Sequence, residues 1–252
     1  MTCIDAVLFD LFETLITVDP SRLPSVRLSD RTVPSTVPTI LSLLRKASPT
    51  VSHADAIGAI AAIRALPPVL AEPDAEIPEH HFFAALLLRL GIPDQDGAFA
   101  RRLADAQMAA IIAACRPMPG ARSLLATLRR RGIRTAVVSN LAHAPSFDAL
   151  LSTADPEHCF DATVASIEVG FCKPDGRPFQ LALARLGVQA KRALHLGDDP
   201  LGDVIGATRA GIQAVWFNPS GRAWPGAGAA PVTVATFEEV EALLGSPKSR
   251  TV

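Results

Sequence analysis

Hydrophobic and polar positions change rhythm along the chain. Ala6-Val7-Leu8-Phe9 is an unbroken apolar run closed by Asp10, the pattern of a buried strand whose carboxyl end carries a charge. The next stretch, 18–38, holds Pro20, Pro24, Pro34 and Pro38 among many Ser and Thr residues, which predicts an irregular connection. Apolar residues then recur at helical spacing over 39–46, 53–65, 78–90 and 98–114. Ser52 stands at an N-cap position, and Glu79 follows Pro78 into a first turn. From about 17 to 116 this block is expected to be all-helical, with no strand signal.

Beyond it the pattern alternates between helix and short apolar strand, the mark of a parallel sheet covered by helices. Helices are expected over 121–131, closed by Gly132, over 178–186, closed by Gly187, over 202–210, closed by Gly211, and over 237–244. Strands are expected over 135–138, 162–166, 193–196 and 213–217, with a Gly/Ala/Pro-rich loop over 220–231. The expected fold is α/β, a Rossmann-like three-layer core with a mostly parallel sheet, plus a helical cap domain. Its division is 1–16 with 117–252 as the core and 17–116 as the cap, inserted directly after the first strand. In open α/β sheets ligands bind outside the carboxyl ends of the strands, so an insertion starting beside Asp10 is expected to act as a lid.

Composition narrows the functional classes. A 49% hydrophobic content over 252 residues supplies a sizeable core. The net charge of -1, with both signs scattered, gives no footprint for nucleic acid or an anionic membrane. A small-molecule substrate is the expected partner, and the pattern is silent on oligomeric state. Cys3, Cys115, Cys159 and Cys172 form no C-x-x-C pair, which fits reduced thiols rather than a disulfide framework or a zinc site. Asp5, Asp10 and Glu13 interrupt the first apolar run, and no basic leader precedes it. A soluble, cytoplasmic protein without a membrane anchor is therefore expected.

The polar residues at predicted strand ends carry the chemistry. Asp10, Ser139-Asn140 and Asp198-Asp199 with Asp203 fall at the carboxyl edge of the sheet, and Lys173-Pro174 lies in a loop before a helix. Taken singly, these are ordinary caps, turns and a surface lysine. Together they suit phosphoryl chemistry. Carboxylates converging on one edge repel unless a hard cation lies between them, and Mg²⁺ prefers few protein oxygens supplemented by water and substrate oxygens. A lysine and a hydroxyl nearby would offset the charge of a phosphate and of a carboxylate nucleophile.

Four segments in this order resemble the motifs of the haloacid dehalogenase-like hydrolase superfamily: Phe9-Asp10-Leu11-Phe12-Glu13-Thr14-Leu15, Val138-Ser139-Asn140, Lys173-Pro174-Asp175 and Gly197-Asp198-Asp199-Pro200-Leu201-Gly202-Asp203. The helical block resembles the α-helical cap that such proteins carry between their first and second motifs. The resemblance implies a phosphatase acting on a small phosphorylated metabolite through an aspartyl-phosphate intermediate. It makes Asp10 the nucleophile and gathers Asp10, the backbone carbonyl of Phe12 and Asp198 around Mg²⁺, with Asp203, and Asp199 as a further option, in support. Ser139 and the amide of Asn140 would hold the phosphoryl group, and Lys173 would balance charge on Asp10 and the phosphate.

One position departs from the resemblance. Phosphatases of the superfamily usually carry a second aspartate two residues after the nucleophile, as the acid and base for leaving group and water; here it is Phe12. Glu13, Glu79, His80 and His81 are candidate replacements, although Glu13 is equally explained as a residue that caps its loop or faces solvent. An aromatic residue there is also seen in the 2-haloacid dehalogenase branch, which needs no leaving-group acid. Arg22 and Arg27 are the available halide or carboxylate clamps for that alternative, and the cluster of Asp198, Asp199 and Asp203 speaks against it. A third alternative is a phospho-ligand or partner-binding protein with little turnover.

Overall fold

The structure, a computed structural model, describes residues 4–28, 31–66, 72–157 and 160–245. In chain order the first strands are β1 (Ala6–Phe9), β2 (Ile16–Val18), β3 (Ser25–Leu28), β4 (Arg31–Pro34) and β5 (Cys115–Pro117). They are followed by β6 (Arg134–Ser139), β7 (Ala162–Ala165), β8 (Ala193–Gly197), β9 (Gln213–Phe217) and β10 (Val232–Val234). The helices are α1 (Val37–Ala47), α2 (His53–Arg64), α3 (Glu79–Arg89), α4 (Ala98–Ala114) and α5 (Ala121–Arg130). Then come α6 (Phe147–Ala154), α7 (Ser166–Val169), α8 (Gly176–Leu186), α9 (Gly206–Arg209) and α10 (Phe237–Leu243). The chain divides into two units, one of 1–17, 116–141 and 151–252, the other of 18–115 and 142–150.

The first unit is an α/β layer structure on a six-stranded sheet of order β10-β9-β8-β1-β6-β7, parallel at every pairing. The first strand of the chain is therefore central. Phe9 lies opposite Val137 on one side and Leu196 on the other, and Ala6 to Phe9 are wholly buried. An apolar residue at every position is what a strand covered on both faces requires. Helix α8 buries Phe179, Ala182, Leu183 and Leu186, a stripe at helical spacing, against Leu8, Val138 and Val164. Because the strands run parallel they end at one edge, so Asp10, Ser139 and the Asp198 loop emerge together.

The second unit is built from α1 to α4 around Ile40, Leu41, Leu44, Phe83, Leu86, Leu87, Ala100 and Leu103. Ser52 caps α2 with a reciprocal pair of bonds: the Ser52 hydroxyl accepts from the Asp55 amide, and the Asp55 carboxylate accepts from the Ser52 amide. The expectation of an irregular, strand-free connection over 18–38 is corrected. Residues Ser25–Leu28 and Arg31–Pro34 form an antiparallel pair, with Val26 opposite Val33 and Arg27 opposite Thr32. Its period-two pattern is short, and Pro24 and Pro34 sit outside or at the end of the ladder, where no donor is needed.

A second correction concerns 202–210. There the chain makes a wide π-type turn over Pro200–Ile205 before α9. The carbonyl of Asp199 accepts from the amides of both Asp203 and Val204. The widened turn brings the Asp203 side chain against Gly197.

Among the described residues no helix is long and apolar enough to cross a membrane. Cys115 and Cys172 are thiols, not half-cystines; Cys3 and Cys159 lie outside the described residues. The Phe179 ring is fully buried and meets the His195 ring edge to face, with centroids 5.0 Å apart. Phe179→Ala is expected to destabilise the first unit by about 3–5 kcal/mol, read as a lowered urea midpoint with an unchanged slope.

Candidate active site

Asp10 follows β1 directly, its amide continuing the ladder to the Leu196 carbonyl at 2.9 Å. The Lys173 ammonium donates to Asp10 Oδ1 at 2.6 Å, to Asp203 Oδ1 at 2.6 Å and to the Val138 carbonyl at 2.8 Å. These three acceptors use all three of its N–H bonds. Lys173 thus spends its hydrogen bonds on orienting the two carboxylates, and a phosphate could reach it only by exchanging with one of these acceptors.

The loop that carries Lys173 is itself fixed by Asn140. The Asn140 amide nitrogen donates to the Lys173 carbonyl at 3.0 Å, and its amide oxygen accepts from the Lys173 amide at 2.7 Å. Ser139, the last residue of β6, is buried beside it in sequence.

Asp203 is held by three donors: Lys173 Nζ and, at 3.0 Å, His195 Nε2 on Oδ1, with the Asp199 amide on Oδ2 at 3.0 Å. A carboxylate only accepts, so His195 Nε2 carries the proton. This packing needs glycine at 197, because a Cβ there would lie 2.2 Å from Asp203 Cγ. Asp198 is half-buried. Its carbonyl accepts from Trp216 Nε1 and Arg222 Nη2, both at 2.9 Å, and its Oδ2 lies 3.2 Å from the same Nη2.

The electrostatics are those of a site with excess negative charge. Burial pushes the Asp10 carboxyl up to about 7, reinforced by Asp203 and Asp198 and opposed by Lys173. Burial also works against the Asp203 charge, but Lys173 and His195 outweigh it and hold its carboxyl well below the usual range. Lys173 is raised above its ordinary value because Asp10 and Asp203 overcome its desolvation. Burial lowers the His195 pKa, opposed by its hydrogen bond to and the charge of Asp203. Asp198 is raised by burial and by Asp203, with Arg222 offsetting part of the shift. Carboxylate oxygens of Asp10, Asp198 and Asp203 lie within 4.8 Å of one another, an all-oxygen donor set that fits a hard cation.

The other expected residues have these settings. Glu13 adopts φ +54° in the left-handed region, is exposed, and accepts from the Thr17 hydroxyl at 3.0 and 2.9 Å. It is a loop residue with its carboxylate already engaged. Asp199 is exposed and accepts from the Leu201 amide, capping the turn. Phe12 is half-buried in the loop after Asp10. Glu79, His80 and His81 belong to α3 of the second unit, where Gln107 Nε2 donates to Glu79 Oε1 at 2.6 Å. Arg22 and Arg27 are exposed residues of that same unit.

His195, Trp216 and Arg222 escaped the sequence reading. For His195 a signal existed, a lone polar residue inside the apolar run Ala193-Leu194-His195-Leu196. Arg222 sits in a Gly/Ala/Pro-rich loop without periodicity, and nothing local marks it.

A parallel α/β unit with a lysine-bridged carboxylate pair and a third carboxylate at the strand edge defines a class of hydrolases. The haloacid dehalogenase-like hydrolase family model matches residues 4–211, and the chain belongs to that family. Over 103 residues it is 38% identical to the glyceraldehyde 3-phosphate phosphatase of Methanothermobacter thermautotrophicus, covering 41% of this chain and 45% of that protein. The chain spans about half the length of the curated relatives it matches. Its fold is similar to the crystal structure of a HAD phosphatase from Thermococcus onnurineus (TM-score 0.64, 20% identity, 96% of this chain and 98% of that chain). It is equally similar to a 2-haloacid dehalogenase from Pseudomonas syringae pv. Tomato DC3000 (TM-score 0.63, 21% identity, 96% and 98%). These two likenesses are ones of fold alone.

The raised Asp10 pKa has a definite consequence for cation-free protein. Its folded-state value of about 7 lies above the ordinary 3.8, so the folded state holds this proton more tightly than the unfolded chain. The contribution of this carboxyl to stability is complete below about pH 4 and is lost as pH rises through about 7. Asp10→Asn, which removes the charge, is expected to melt higher than wild type in a chelator at about pH 8, and its advantage should shrink on acidification toward about pH 5. Thermal unfolding of both proteins across this pH range is the check.

Proposed function

We propose that the protein is a Mg²⁺-dependent phosphatase acting on a small phosphate ester through an Asp10 aspartyl phosphate. The observation that carries this reading is the Lys173 ammonium 2.6 Å from both Asp10 and Asp203, with Asp198 completing a cluster of three carboxylates. The phosphatase relative supports the same class of reaction. Asp10, Asp198, the Phe12 carbonyl and Asp203 are the residues that would hold Mg²⁺. When bound, Mg²⁺ supplies charge neutralisation for the phosphoryl oxygens.

In the first half of the reaction an Asp10 carboxylate oxygen forms a bond to phosphorus as the ester oxygen departs. In the second half, water cleaves the acyl phosphate and restores the carboxylate. Lys173 keeps Asp10 aimed along its own hydrogen bond, and Ser139 with the Asn140 amide is assigned to the transferring group. Substrate selection is assigned to the helical unit.

Phe12 offers no proton to the leaving oxygen. Without a donor, the turnover of poor leaving groups loses roughly 10²–10⁴-fold. Phe12 is also the observation that favours a second reading, a dehalogenase in which Asp10 displaces halide from carbon and no acid is required.

Turnover of p-nitrophenyl phosphate, whose leaving group needs little protonation, is expected with Mg²⁺ and should vanish in EDTA and in Asp10→Asn. Metal-independent chloride release from 2-chloropropionate, without phosphatase activity, would establish the dehalogenase instead. Phe12→Asp is expected to raise the rate on alkyl phosphates relative to p-nitrophenyl phosphate, measured as the ratio of kcat/KM values. An unchanged ratio would mean that leaving-group protonation does not limit this enzyme.

A further inference from the structure

Arg222 has no part in the chemistry described so far, yet it meets the acidic cluster. Lys173 contacts Asp10 and Asp203, while Asp198 receives its only ion pair among the described residues from Arg222. The arginine is placed by its own loop. Its amide donates to Asn218 Oδ1 at 2.9 Å, and its carbonyl accepts from Asn218 Nδ2 at 2.8 Å. The guanidinium lies 5.9 Å from the centroid of Trp216. A single nitrogen, Nη2, serves Asp198 twice, tightly on the main-chain carbonyl at 2.9 Å and more loosely on carboxylate Oδ2 at 3.2 Å.

The two contacts have different consequences. The carbonyl of Asp198 is also held by Trp216 Nε1 at 2.9 Å, so the main chain stays anchored without the arginine. The carboxylate contact is single and long, and the Arg222 side chain is half-exposed, so a competing cation can displace it.

Resting on the reading of the carboxylates as a cation site, we propose that Arg222 is a resident counter-cation of that site, a positioning residue that occupies Asp198 Oδ2 until a divalent cation takes it and so weakens cation binding. Its positive charge opposes the incoming cation, and the cation must displace its hydrogen bond from the carboxylate. Removal of the charge should therefore tighten binding, because Trp216 preserves the main-chain geometry.

The test is isothermal titration of wild type, Arg222→Met and Arg222→Lys with MgCl₂ alone, with thermal unfolding of each in EDTA as a control of folding. Arg222→Met is expected to bind Mg²⁺ about three- to tenfold more tightly than wild type, the effect of one screened charge near the site. Arg222→Lys, which keeps the charge, should stay within about twofold of wild type. Weaker or unchanged binding by a folded Arg222→Met overturns the inference. Absence of Mg²⁺ binding in wild type overturns the cation site beneath it, a result distinguishable from the first because it appears before any substitution. If Arg222→Met does not fold, Arg222→Gln, which also removes the charge, takes its place: the same tightening is expected, and weaker or unchanged binding overturns the inference.

Discussion

One ammonium group and the two carboxylates that share it organise the first unit. Lys173 is buried, and it is tolerable there because Asp10, Asp203 and the Val138 carbonyl absorb every N–H it has. Each neighbour serves this arrangement. Asn140 fixes the lysine's main chain, His195 and the Asp199 amide fix Asp203, and Gly197 leaves the room that Asp203 needs. Removing Lys173 would leave the fully buried Asp203 charge without its ammonium partner, a loss of about 3–5 kcal/mol. The network is therefore as much a constraint on folding as on chemistry.

The same network leaves the charge count unbalanced. Of the three carboxylates, Asp10 and Asp203 share one buried ammonium, while Asp198 has only the half-exposed Arg222. A fold selected for stability alone would neutralise or remove such a group; an excess of oxygen donors at a strand edge is what attracts a hard cation. The raised pKa of Asp10 and the depressed pKa of Asp203 are two sides of this imbalance, with Lys173 and His195 deciding which carboxylate keeps its charge most firmly.

Fold and reaction are separable here. A phosphatase and a dehalogenase share this architecture at nearly equal similarity. The side chains at the strand edge are where two such reactions would differ: three carboxylates gather there, and position 12, two residues after Asp10, is a phenylalanine that can transfer no proton. Glu13, next to it in sequence, has its carboxylate on the Thr17 hydroxyl at 3.0 and 2.9 Å.

Much of this was legible in the sequence because it depends on local periodicity. The fully apolar run before Asp10 read as a buried strand, Ser52 stood at an N-cap position, and the strand-end polar residues fell on one edge because parallel strands all finish on the same side. The antiparallel pair of 25–28 and 31–34 was hidden because prolines at its ends masked a pattern only a few residues long, and the widened turn at 200–205 because π and α geometry share one apolar pattern. What the chain determined by itself was which chemical groups arrive at the edge of the sheet. Tertiary structure decided how they pair. The sharing of Lys173 by Asp10 and Asp203, the grip of His195 on Asp203 and that of Arg222 on Asp198 all join segments whose relation is set by packing, and no periodicity along the chain encodes a contact made across it.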